Sequence, residues 1–144
     1  MEAFKMKIEF TDIQAFGDKE NERVRFKVTE ACNLGDYLIA LSEKKGEGRI
    51  SSKLEHIKWL SDVDMNTNDL VIVYSARKGS GVKKLQNEDG TSSYFVFWNL
   101  EHPLSDFSGK SVVYFEAFWN SINFESLMQK DAGEGEEERK KDLQ

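Results

Sequence analysis

Short runs of alternating or continuous apolar residues, separated by turns rich in Gly, Asn and Asp, limit this chain to a β-rich fold. In the clearest run, Val24, Phe26 and Val28 alternate with basic residues, which is the pattern of a strand with one buried face. The run 70–74 is continuously apolar, as in a strand buried on both faces. Further strands are predicted in residues 6–16, 37–41, 57–63, 94–98 and 112–115. This succession of short strands predicts an all-β protein, a β-sandwich or barrel.

The domain organisation follows from the length of the chain and the composition of its last residues. A chain of 144 residues is long enough for one hydrophobic core and too short for two. We therefore predict a single domain in residues 1–130, with a short helix at Ile122 to Lys130. Residues 131–144 hold six acidic and three basic side chains and almost no apolar ones. This composition predicts a disordered acidic tail.

Charge and cysteine content bear on partners and location. The formal net charge is −6, and residues 131–144 carry −3 of it, which leaves −3 on residues 1–130. A mildly acidic body argues against sequence-independent binding of nucleic acid, which needs an excess of Lys and Arg. The single cysteine, Cys32, cannot form an intramolecular disulfide, and the sequence contains no run typical of a signal peptide or membrane span. We therefore expect a cytoplasmic protein.

The order of the predicted strands resembles that of the lamin-tail domain, an immunoglobulin-like β-sandwich. Residues 21–26 (NERVRF) and 34–39 (LGDYLI) are similar to its opening strand pair, where an Asn-Glu-x-Val run precedes a Leu-x-Gly-Trp-x-Leu strand. Residues 65–74 (MNTNDLVIVY) are similar to its Leu-x-x-Gly-Asp-x-x-Val-Val stretch. Residues 109–114 (GKSVVY) are similar to its late Gly-Asp-x-Val-x-Leu strand. The resemblance covers residues 6–119 and implies an immunoglobulin-like β-sandwich.

The chain departs from the family pattern at three places. Asn68 replaces the Gly before Asp69, Lys110 replaces the late Asp, and Gly35 directly follows Leu34 where the family has a spaced Gly. Lamin-tail domains serve as interaction modules in nuclear filament proteins or on secreted bacterial enzymes. This sequence contains no rod, signal peptide or enzyme segment, so the resemblance implies an interaction module without naming its partner.

No motif in the sequence indicates catalysis, a metal or a cofactor. His56, His102 and Cys32 lie in no nucleophile or zinc motif. Residues 62–69 begin like a calcium loop, with oxygen ligands at alternate positions. Thr67 then occupies the position that needs Gly, and Val73 the position that needs a bidentate Glu. We therefore predict a protein that is not an enzyme and that holds no metal or cofactor.

The loop 77–84 is basic and rich in Gly, and it supports an alternative function. Its four cations are Arg77, Lys78, Lys83 and Lys84. Backbone amides and cations in such a loop can hold a phosphate, although the Gly-Lys-Ser/Thr ending of a P-loop is missing. A solvated hairpin tip explains the same residues. The alternative hypothesis is therefore a ligand- or nucleic-acid-binding domain that uses this loop.

Aromatic runs near the end of the domain are apolar on both faces, which is unusual for a sheet with one wet face. Either the C-terminal segment, Ile122 to Met128, covers the second face, or a protein partner or a second copy does. Because one short segment is too small to cover two aromatic strands, we favour an interface. The predicted partner-binding residues are Tyr94, Phe95, Phe97, Trp98, Tyr114, Phe118 and Trp119.

Overall fold

The computed structural model describes residues 5–46, 49–125 and 128, and nearly all of their regular structure is β. The strands are β1 (Ile8–Gln14), β2 (Arg23–Val28), β3 (Cys32–Asn33), β4 (Tyr37–Lys44), β5 (Ile50–Trp59), β6 (Asp64–Met65), β7 (Leu70–Tyr74), β8 (Lys83–Gln86), β9 (Ser92–Phe97) and β10 (Lys110–Glu116). Two 3-10 helices, Leu34–Asp36 and Leu104–Asp106, complete the described elements. The prediction of an all-β protein is confirmed.

The strands form two main sheets. One sheet has five strands in the order β1-β2-β7-β9-β8, and the other has three in the order β10-β4-β5. A small third sheet pairs β3 with β6. Neighbouring strands are antiparallel except for β7 and β9, which are parallel. Among the described strands, β1 and β10 each pair on one side only, so they are edge strands of the two main sheets.

The core lies between the inner faces of the two main sheets. In β2 the predicted alternation is confirmed, because Val24, Phe26 and Val28 are each at most 1% exposed. They pack with Ile39 and Leu41 of β4 from the opposite sheet. Burial of such side chains contributes roughly 1.5–3 kcal/mol each, which makes this core the main source of stability.

The hairpin of β4 and β5 is longer than the sequence predicts. Strand β4 continues to Lys44 where a loop is expected, and β5 covers residues 50–59 where only a strand at 57–63 is expected. The extension is hidden in the sequence because its residues are polar. Ser42 is nevertheless buried, and its hydroxyl donates to the Ser51 carbonyl 2.9 Å away. A positive φ of 52° at His56 further breaks the alternation of β5.

The C-terminal predictions fall mostly outside the described residues. In the predicted helix 122–130, Phe124, Glu125 and Met128 have helical backbone, whereas Ile122 and Asn123 do not. Residues 126–127 and 129–130 lie outside the described part of the chain, as does the predicted tail 131–144.

A buried carboxylate, Glu22, ties three parts of the fold together. It is fully buried, and its Oε2 accepts a hydrogen bond of 2.7 Å from the Gly17 amide. Its Oε1 accepts one of 2.7 Å from the Leu104 amide and another from the Ser75 hydroxyl. Charge-assisted bonds of this kind are about twice as strong as neutral ones. Glu22 therefore fixes the β1–β2 turn to the 3-10 helix that precedes β10.

Candidate interaction surface

Most of the aromatic run at β9 is buried. Tyr94 and Trp98 point into the core and are 3% and 5% exposed, and the Trp98 indole donates to the His56 carbonyl 2.6 Å away. Phe97 points to the outer face and is only 7% exposed. In contrast to the prediction, Tyr94, Phe97 and Trp98 are therefore not accessible to a partner, because the protein itself encloses them.

The loop 77–84, and not the C-terminal segment, covers the outer face of β9. Tyr74 on β7 stacks against Phe95 and Phe97, with ring centroids 6.2 Å and 5.8 Å apart. We call these three rings the outer aromatic patch. Gly79 lies so close to Phe97 that a Cβ at this position would be 2.6 Å from the ring carbons. The absence of a side chain at Gly79 therefore lets the loop close over the patch.

The cations of this loop are engaged with the protein itself. The guanidinium carbon of Arg77 lies 5.0 Å from the Tyr74 ring centroid, and the ammonium groups of Lys83 and Lys84 lie 5.7 Å and 5.9 Å from other aromatic rings. Lys78 donates to two backbone carbonyls and to the Glu101 carboxylate 2.8 Å away. That hydrogen bond lowers the pKa of Glu101. The loop 77–84 therefore packs against aromatic rings of the same protein.

The C-terminal arm, which we define as residues 117–124, leaves the end of β10 with its large apolar side chains exposed. The exposed fractions are 83% for Phe118, 66% for Trp119, 72% for Ile122 and 73% for Phe124. None of these eight residues is charged. Met128, just beyond the arm, is 70% exposed. Ile122, Phe124 and Met128, which one of the two alternatives above placed over an aromatic sheet face, are thus themselves exposed.

The arm begins beside three apolar side chains on the outer face of the three-stranded sheet. We call these side chains, Phe115, Leu38 and Trp59, the aromatic row. The strand register aligns Leu38 with Phe115 on one side and with Trp59 on the other. Because Tyr37 and Ile39 are fully buried in the core, Leu38 and its two neighbours point outward. Trp59 is 46% exposed, and its ring meets that of Trp119 edge to face at 5.8 Å. The contact between Trp59 and Trp119 therefore joins the aromatic row to the arm.

An apolar cavity of about 680 Å³, which we call the edge groove, opens between β1 and β10. Tyr114, a predicted partner-binding residue, lines it and contacts Phe26 with ring centroids 5.0 Å apart. Of the described residues lining the groove only Lys110 is charged, and its Nζ lies 3.4 Å from both Glu43 and Glu55. The other apolar lining residues are Phe10, Ile13, Phe16, Leu41, Leu104, Phe107 and Val112.

The residues considered above for catalysis or metal binding make contacts that support the fold. Burial raises the pKa of the Cys32 thiol, which favours its unreactive protonated form. In the calcium-like loop, the Asn33 side chain donates to Asp62 and Asp64, while the Asp69 carboxylate accepts from the Asn66 and Ser92 amides. Among the described residues, no group of three or more His, Cys, Asp or Glu side chains could hold a metal ion.

Sequence reasoning did not identify the edge groove or Trp59 as parts of a surface. Phe16 next to Gly17 was a usable signal, because a large apolar residue beside a turn has few ways to be buried, and it is 65% exposed. Trp59 gave no comparable signal, since it ends a strand whose alternation is broken at His56. The groove depends on how two distant edge strands meet, which a linear pattern does not show.

No family model matches this chain, and no curated protein is significantly similar to it. In the described residues, no helix combines the length and apolar character needed to cross a membrane.

Proposed function

We propose that this protein is a non-catalytic interaction module that binds a protein, another copy of itself included, through the C-terminal arm and the aromatic row. The observation that carries the proposal is the exposure of Phe118, Trp119, Ile122 and Phe124 on one uncharged segment. Large continuous apolar surfaces on soluble proteins mark sites where another surface binds.

The composition of this surface favours a protein as the partner. Interface centres are enriched in aromatic residues and poor in charge, and a few buried Trp or Tyr side chains supply most of the binding energy. Trp59 and Trp119 are already in edge-to-face contact at 5.8 Å, so one edge of such a centre is preorganised. Burial of each exposed Phe or Ile side chain would contribute roughly 1.5–3 kcal/mol.

We also propose that the domain is an immunoglobulin-like sandwich of the lamin-tail type. The two packed sheets support this, as does Asn68, whose φ of 74° is a conformation that Asn adopts where the family has Gly. The parallel pairing of β7 with β9 departs from the antiparallel sheets of an immunoglobulin-like domain. A domain of this type fits a role in binding rather than in chemistry.

The outer aromatic patch supports the ligand- or nucleic-acid-binding alternative less well. Bases stack on open aromatic faces, and single-strand binders combine such faces with free cations. Here the rings of Tyr74, Phe95 and Phe97 stack on one another. Arg77 lies over the Tyr74 ring and Lys83 over the Phe97 ring.

The test is to compare association of the wild type with that of Trp119→Glu and Phe124→Glu variants. We expect both to weaken association by about tenfold or more, since a buried charge costs more than 1.4 kcal/mol. Mass in solution by light scattering measures self-association, and co-purification from the source cell measures binding of another protein. Leu85→Glu is the matched control, because Leu85 is 57% exposed on β8, outside the surface. Equal binding by all four proteins would refute the proposal.

A further inference from the structure

The edge groove is bordered by an unpaired strand edge. Strand β10 pairs only with β4 among the described strands. At its two ends, the Gly109 carbonyl accepts from the Lys44 amide, and the Ala117 amide donates to the Asp36 carbonyl. Because hydrogen-bonded positions alternate along an antiparallel ladder, the backbone groups of Val112, Tyr114 and Glu116 point away from β4. They form a free edge that another strand can pair with.

The C-terminal arm has the pattern of a strand with one apolar face. In an extended conformation, Phe118, Ile122 and Phe124 would lie on one side together with Asn120, since successive side chains alternate. Ser121 and Asn123 would lie on the other side with Trp119. Residues 117–123 have no regular secondary structure in this protein. Residues 117–123 are therefore an alternating segment that belongs to no described sheet, and Phe124 after them has helical backbone.

The edge groove and the C-terminal arm match in polarity, and the arm is about as long as strand β10. The arm carries no charge, and the one charged residue lining the groove, Lys110, is paired with Glu43 and Glu55. A segment of eight extended residues spans about 26 Å, close to the roughly 23 Å of the seven-residue strand β10. The apolar side of the arm would face the apolar lining of the groove.

In each copy, the C-terminal arm starts away from the edge groove of that same copy. It leaves β10 at Glu116, whereas the groove is lined by the opposite end of β10, from Lys110 to Val112 and Tyr114. Trp119 then contacts Trp59 on β5, which lies on the far side of β4 from β10. At Trp119 the arm thus lies toward β5, on the opposite side of β4 from the free edge of β10.

We propose that the edge groove binds the C-terminal arm of a second copy, which adds as a strand to the free edge of β10. This inference rests on the proposed function, because it assigns the partner and the docking site of the exposed arm. A reciprocal exchange between two copies fills both grooves and buries both arms. It yields a closed dimer, in which the same contact is made twice.

The first experiment tests arm and groove by complementation. Ile122→Glu disables the arm, and Phe16→Lys disables the groove, at side chains that are 72% and 65% exposed and so tolerate charge in the monomer. We expect each variant alone to dimerise about tenfold or more weakly than the wild type. A mixture of the two should recover dimers, because one intact arm can enter one intact groove. Leu85→Glu should dimerise like the wild type.

The outcomes separate this inference from the proposed function. If Ile122→Glu is monomeric while Phe16→Lys dimerises normally, and the mixture gives no recovery, the arm binds elsewhere and only the groove assignment fails. A monomeric wild type also overturns the exchange, and leaves the arm as a site for a different protein. Normal dimerisation by both variants overturns both proposals as the basis of self-association.

A crosslinking experiment locates the arm directly. The photoreactive residue p-benzoylphenylalanine is placed at position 122, and the protein is mixed with an isotopically labelled copy. Peptide mapping should find intermolecular crosslinks in residues 10–16 or 104–114, which line the groove. Crosslinks confined to β5, or formed only within one copy, would place the arm on the aromatic row and refute the exchange.

Discussion

The outer faces of the two main sheets carry similar aromatic side chains, but the protein covers these side chains to different extents. On the five-stranded sheet, the loop 77–84 packs on the outer aromatic patch with Gly79 against the Phe97 ring, so that Phe97 is buried and Tyr74 and Phe95 are half-buried. On the three-stranded sheet, Trp59 donates its indole hydrogen bond to the Gly35 carbonyl and meets the Trp119 ring, yet it is 46% exposed, and the arm stays exposed as well. The difference shows that the local apolar pattern does not decide whether the aromatic side chains of a strand are covered by the protein or exposed. What decides it is the segment packed over the strand.

The largest effect is expected from an aromatic ring of the same run that points into the core and not to an outer face. Trp98→Ala should lower the free energy of unfolding by about 3–5 kcal/mol, because the side chain is 5% exposed and leaves a cavity. It also removes the indole donor to the His56 carbonyl. Urea unfolding followed by circular dichroism measures the change. A variant as stable as the wild type would mean that Trp98 is not a core residue.

A second test disturbs the cover itself. Gly79→Ala should cost about 1–3 kcal/mol, since the new methyl would lie 2.6 Å from the Phe97 ring and force the loop or the ring to move. The same unfolding experiment applies, with Ser80→Ala, an exposed neighbour in the same loop, as the control. If Gly79→Ala and Ser80→Ala unfold alike, the loop does not close tightly over the outer aromatic patch.

Much of the fold follows from local sequence patterns, and most of the surface does not. The alternation at Val24, Phe26 and Val28 predicts the buried face of β2, because a period of two can only place them on one side. The run 94–98 predicts a strand equally well, but not its burial. The cover on Phe97 depends on Gly79, which is eighteen positions earlier in the chain. Contacts at such separations follow from topology, which a single sequence does not display.

A smaller effect should come from the ion pair at the edge of the covered sheet. Arg25 holds Asp12 through two hydrogen bonds of 2.6 Å and 2.7 Å, and the bond from Arg25 lowers the pKa of Asp12 from 3.8. Stability from this carboxylate is therefore present above its unfolded pKa and is lost as the pH falls through the lower folded value.

The matching variant is Asp12→Asn, which has no carboxylate to titrate. Wild type and variant should differ in stability at neutral pH, and the difference should shrink below about pH 4. Thermal unfolding across this range measures it. A difference that stays constant down to about pH 2 would show that Asp12 acts through packing and not through its charge.

The smallest change in stability is expected from a substitution at Trp119, in the exposed C-terminal arm. Trp119→Ala should alter the free energy of unfolding by less than about 0.5 kcal/mol, because a ring that is 66% exposed buries little area and makes one edge contact, with Trp59. The same substitution should weaken association by tenfold or more if this ring is central to the interface.

Trp98→Ala gives the opposite pattern, with a large loss of stability and no direct loss of contact to a partner. Unfolding and light scattering on both variants therefore test the comparison in one experiment. If Trp119→Ala is as destabilising as Trp98→Ala, the arm belongs to the folded core, and the distinction between the two sheet faces fails.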